Sequence, residues 1–127
     1  MKTTELSIGI IKGIVSLFLL LIILLPSCSS EKDDPGPDCD LTKVTYSGTV
    51  APIMAASCNG CHSGAAPSAG INTSNHGGLN VIALNGSLVG SINHESGFSN
   101  MPKGQPQLSA CQRQQIAAWV SAGAPNN

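Results

Sequence analysis

The chain has 127 residues, of which 10% are charged and 3% aromatic, and its formal net charge is −1. That length holds one domain. Only six Lys and Arg are present, two of them (Lys2 and Lys12) close to the N-terminus, which excludes the basic surface a nucleic-acid-binding domain needs.

The first element in chain order is "MKTTELSIGIIKGIVSLFLLLIILLPSC". It has a basic start (Lys2, Lys12) and an apolar run from Gly13 to Leu25, short for a membrane span and suited to the hydrophobic region of a secretory signal. A permanent N-terminal anchor helix is the alternative. The stretch "LPSC", Leu25 to Cys28, resembles the lipobox of bacterial lipoproteins, with an aliphatic residue at −3, a small one at −1 and then cysteine. Pro26 at −2 is tolerated but is not the commonest residue there. The resemblance implies that residues 1–27 are a lipoprotein signal peptide and that Cys28 carries the lipid, giving an exported protein anchored to the bacterial outer membrane.

Residues 28–40 read as a tether. "SSEKDDPGPDCD", Ser29 to Asp40, is polar, acidic and interrupted by Pro35, Gly36 and Pro37. Acidic runs just after a lipidated cysteine resemble the export tags of surface-exposed lipoproteins, although a solvated linker has the same composition. The domain is thus expected either to face the periplasm or to stand on the cell surface.

Residues 41–127 are expected to fold. In "YSGTVAPIMAAS", Val50, Ile53 and Met54 fall on one helical face, and Pro52 suits a first turn, so a helix is expected to begin near Val50. Met54 belongs to the core on this reading. Gly64 to Gly78 is rich in Gly, Ala, Ser, Asn and Pro and reads as loop. Leu79–Leu84 and Ser87–Asn93, divided by the turn pair Asn85-Gly86, each read as a short helix or a strand, with helix favoured because alternation is not sustained. "HESGFSNMPKGQPQ" returns to loop. A last helix follows, opened by Ser109 with Gln112 in a capping box, striped by Ile116, Trp119 and Val120, and stopped by Gly123 and Pro125. The elements make an all-α domain. There is no internal repeat and no glycine-rich phosphate loop.

The chemistry concentrates in "SCNGCHSG". Cys58-Asn59-Gly60-Cys61-His62 is C-x-x-C-H, the attachment pattern of c-type haem. Two thiols on one tight turn can each add to a vinyl group of the same porphyrin edge. The next residue is then held beneath the iron, where an imidazole is the usual proximal ligand. Three other readings compete. A thioredoxin-like redox pair wants a βαβ setting, which is missing. A zinc site needs four ligands, for which Cys58, Cys61, His76 and His94 are available without a second paired motif. A Cys58–Cys61 disulfide closes too short a loop to add much stability.

An amphipathic helix, C-x-x-C-H, a small-residue loop, short helices, a Met-Pro loop and a C-terminal helix with an aromatic follow the order of class I cytochromes c. "YSGTVAPIMAASCNGCHSG", "MPKGQPQLS" and "IAAWVSAGAP" resemble the single-haem cytochrome c domains of bacterial lipoproteins, over most of Thr45 to Pro125. The resemblance implies a small helical domain wrapped around one covalent haem c. Cys58 and Cys61 would be the thioether attachments, His62 the proximal ligand and Met101 the distal one. Independently, Met101 precedes Pro102, which constrains its backbone, and a thioether suits haem iron. His76 and His94 are rival distal ligands, and Met101 as a core or loop residue is the bland alternative.

With Cys28 lipidated and two cysteines on haem, Cys39 and Cys111 remain, in an exported and oxidising setting. In the cytochrome c fold the terminal helices pack together, which would let this pair form a disulfide. Glu95 is the only carboxylate after Asp40, so no convergent set of acids, bases or nucleophiles accompanies the haem ligands. The expected function is therefore electron transfer to and from redox partner proteins rather than catalysis. A haem-binding sensor, a peroxidase-like or structural module, and a zinc-binding domain are the alternatives.

Overall fold

The computed structural model of the protein describes residues 39–127. The expected signal peptide, the lipid-bearing Cys28 and the tether as far as residue 38 lie outside these residues. Among the described residues every regular element is helical and there is no strand, so the fold is all-α. No helix among them is long and apolar enough to cross a membrane.

The domain begins with a wide turn, Tyr46–Val50, in which the Ala51 amide reaches back five residues to the Tyr46 carbonyl. Thr45 caps it, its hydroxyl oxygen accepting from the Gly48 amide at 3.0 Å. The turn runs directly into α1 (Ala51–Ser57), where Pro52 sits in the first turn and its missing amide hydrogen costs no helical bond. The expected apolar face forms as the spacing requires: Val50, Ile53 and Met54 are all buried.

A short 3₁₀ turn, Ser68–Gly70, interrupts the loop that follows. Helix α2 (His76–Leu84) then starts three residues ahead of the expected Leu79. The Asn75 side chain caps it by accepting from the Gly78 amide at 2.8 Å. Gly77 and Gly78 are poor helix formers and read as loop, but here the cap and the packing override propensity. Gly78 has a further reason to be glycine, because a Cβ at this position would collide with the Asn72 carbonyl oxygen. Gly86, at φ 82°, turns the chain into α3 (Ser87–Ile92).

Helix α4 (Ala110–Ser121) carries the expected capping box: the Ser109 hydroxyl accepts from the Gln112 amide, and the Gln112 side chain accepts from the Ser109 amide. Its far end closes as a Schellman motif, the Gly123 amide donating to the Val120 carbonyl and the Ala124 amide to the Trp119 carbonyl. The opening turn packs on α4, α2 on α3, and α3 on α4. Trp119, Met54, Leu79, Ile116 and Val50 are the largest fully buried side chains where these elements meet. The Trp119 indole N–H donates to the Pro125 carbonyl at 2.9 Å, so the ring is buried without an orphaned donor. Beyond it, the Asn127 carbonyl and side-chain oxygen accept from the Ser47 and Tyr46 amides, at 2.9 and 2.8 Å.

Cys39 and Cys111 are joined by a disulfide, with an S–S distance of 2.03 Å and a sequence separation of 72. It ties the segment entering the domain to the first turn of α4. The Gln115 side chain adds a hydrogen bond to the Asp40 carbonyl at 3.4 Å.

Candidate functional site

Helix α1 delivers the chain into the C-x-x-C-H turn. The Cys58 and Asn59 amides both donate to the Met54 carbonyl at 2.9 Å, which stops the helix. The Cys61 and His62 amides then both donate to the Cys58 carbonyl, at 3.1 and 3.0 Å. One carbonyl thus gathers the two cysteines and the histidine onto a single tight turn. Cys58 is partly buried against the core, and burial pushes its thiol up from the ordinary range. Cys61 is exposed. Their sulfurs are not joined to each other.

The turn is braced from the loop beyond it. The buried Thr73 amide donates to the His62 carbonyl at 2.8 Å, while the Thr73 hydroxyl lies 2.8 Å from the Asn59 side-chain oxygen and 3.1 Å from the His62 carbonyl. The Ser68 amide donates to the Cys61 carbonyl at 2.9 Å. In return, the Ser68 carbonyl lies 3.1 Å from His62 Nδ1. A carbonyl only accepts, so Nδ1 carries the hydrogen and Nε2 keeps its lone pair. This is the arrangement in which a histidine is oriented to ligate through Nε2.

His62 and Cys58 line a cleft of about 290 Å³. Met101 lines the same cleft, together with apolar side chains that include Ile71, Ile82, Leu88, Ile92 and Phe98. No charged side chain lines it, and residues 44–94 contain no Asp, Glu, Lys or Arg. Its polar groups are the hydroxyls of Thr73, Ser87, Ser91 and Ser99 beside the His62 imidazole. The cleft thus brings together an imidazole, a thioether and a thiol of the motif in uncharged, largely apolar surroundings, the donor set that would hold a flat apolar iron-bearing group. The haem implied by the motif has that chemistry.

The other histidines are engaged elsewhere. His76 Nε2 donates to the Ala124 carbonyl at 2.9 Å, and its ring meets those of Tyr46 and Trp119 edge-on at 5.0 and 6.1 Å. His94 Nε2 donates to the Met101 carbonyl at 3.1 Å. Neither ring lines the cleft. The four-ligand zinc arrangement of Cys58, Cys61, His76 and His94 is not assembled: among the described residues no three His, Cys, Asp or Glu side chains are grouped to hold a metal ion.

Phe98 carries no functional signal in the sequence. Its ring lies directly over Gly90, where a Cβ would collide with it, and it forms part of the cleft wall. The bracing by Thr73 and Ser68 has no sequence signature either, because its acceptors are mostly backbone carbonyls. No family model, curated protein or solved structure matches the chain.

Proposed function

We propose that the protein is an electron-transfer c-type cytochrome with one covalently attached haem. The observation that carries the reading is that His62 and Met101 line the same uncharged cleft as Cys58 of the C-x-x-C-H turn. Cys58 and Cys61 would form the thioethers, His62 would ligate through Nε2, and Met101 through its sulfur. When bound, the haem supplies a one-electron centre whose oxidation state changes without gain or loss of a ligand. The chain's own part is to hold that centre still. The Ser68 carbonyl keeps the His62 ring in one orientation, and the wall around it is largely apolar with no charged side chain lining it.

Lipidation at Cys28 would tether the domain to the outer membrane, within reach of membrane-bound or surface redox partner proteins. Two acyl signals on one residue give stable attachment without a spanning helix.

The test is made on natively exported protein. After denaturation and reduction it should retain haem on a gel and give the reduced pyridine spectrum of two thioether links. The folded protein should resist carbon monoxide at neutral pH, and Met101→Ala should admit it. Haem that extracts into acidic organic solvent overturns covalent attachment. Rapid carbon monoxide binding by the unmutated protein assigns the domain to ligand binding or catalysis instead.

A further inference from the structure

Residues 94–101 leave α3 and come back to it, and both returns use one acceptor. The Ser91 carbonyl, in the last turn of α3, accepts from the His94 amide at 3.3 Å and from the Met101 amide at 3.0 Å. The base of the loop is therefore pinned to a helix whose own Ser91 and Ile92 line the cleft. Within the loop, the Glu95 amide donates back to the Gly90 carbonyl at 2.9 Å and the Phe98 amide to the Glu95 carbonyl at 3.2 Å.

Across the base of this loop, His94 Nε2 donates to the Met101 carbonyl at 3.1 Å. The Met101 peptide is consequently held on both sides, at its N–H by Ser91 and at its C=O by His94. The residue after it is Pro102, which has no amide hydrogen with which to fasten the chain there. A methionine side chain has three rotatable bonds and adapts easily. The position of its sulfur is only as definite as the backbone that presents it.

His94 itself occupies left-handed backbone at φ 54°. Glycine would adopt this conformation without strain, whereas a residue with a Cβ does so at a cost.

We propose that His94 is a positioning residue for Met101, its bond to the Met101 carbonyl setting the thioether in place within the cleft. The inference rests on the proposed role of Met101 as the distal ligand. It assigns to His94, a rival for that place in the sequence, the different task of presenting the ligand.

The experiment uses the haem-loaded, full-length protein and titrates imidazole, which must displace Met101 to bind the ferric centre. His94→Gly removes the side chain but suits the backbone, so the fold is retained and the thermal midpoint stays or rises. Its apparent affinity for imidazole should increase about tenfold, the usual worth of one such hydrogen bond. His94→Gln places an amide donor in similar reach and should stay near the unmutated value. In a Met101→Ala background, where imidazole has nothing to displace, His94→Gly should change nothing further.

Equal affinity in His94→Gly and the unmutated protein, when Met101→Ala binds imidazole more tightly, overturns the positioning role and leaves the ligand assignment standing. The same increase in both backgrounds also overturns it, because His94 would then act on the cleft and not through Met101. If Met101→Ala binds imidazole no better than the unmutated protein, the distal-ligand assignment fails and the proposal falls with it.

Discussion

The domain has two regions held together in different ways. Around α4, cohesion comes from burial: Trp119 and Ile116 are almost fully enclosed, and a capping box, a Schellman motif and a disulfide secure the helix at both ends. Around the cleft, cohesion comes from hydrogen bonds between loops. Asn59, Thr73, Ser68, Ser91 and His94 hold the C-x-x-C-H turn and the Met101 loop, beside the buried Leu88 and Ile92 of the cleft wall. The difference teaches a division of labour. The α4 side supplies stability, while the cleft side supplies geometry through many weak, directional ties.

The comparison breaks most visibly at Trp119. Trp119→Ala removes the largest buried side chain together with its bond to the Pro125 carbonyl, and should cost about 3–5 kcal/mol in denaturant unfolding. A loss below about 1 kcal/mol would mean that α4 is not the stabilising half. Next comes the disulfide. The paired Cys39→Ser and Cys111→Ser variant opens a long loop and should lower stability by about 4.4 kcal/mol in the chain-entropy model. Urea midpoints of the variant and the parent, measured without reductant, check this.

Smaller effects are expected on the cleft side, where they sharpen the contrast. Gly90→Ala sets a methyl group against the Phe98 ring and should cost about 1–3 kcal/mol by overpacking. Adding Phe98→Ala should relieve most of that loss, and a simple sum of the two single effects would show that the ring is not what glycine accommodates. Thr73→Val deletes one hydroxyl bracing the C-x-x-C-H turn and should cost about 1–2 kcal/mol. A cost as large as that of Trp119→Ala would erase the distinction between the regions.

The same division decides what was legible in the sequence. Helix α4 was readable because each of its signals is local: Ser109 and Gln112 three apart, the Ile116, Trp119 and Val120 stripe, and Gly123 after the last turn. The entry to α1 was readable from Pro52 and the Val50, Ile53 and Met54 spacing. The start of α2 was not, because its cap, Asn75, stands before two glycines whose propensity argues for loop. At the cleft, Cys58, Cys61 and His62 announce themselves by spacing, but what orients them does not. The partners of His62 and of His94 are the carbonyls of Ser68 and Met101. Every residue has a carbonyl, so no residue type marks the one that will be used.

The disulfide has a mechanical consequence as well. Cys39 and Cys111 enclose residues 40–110 in a covalent ring, and every side chain lining the cleft, from Cys58 to Met101, lies inside it. A pull on the chain ahead of Cys39 is carried through sulfur to the first turn of α4 and onward to its Trp119 anchor. The load path bypasses the cleft. The loops that set its geometry with single hydrogen bonds are therefore spared tension arriving from the chain ahead of Cys39.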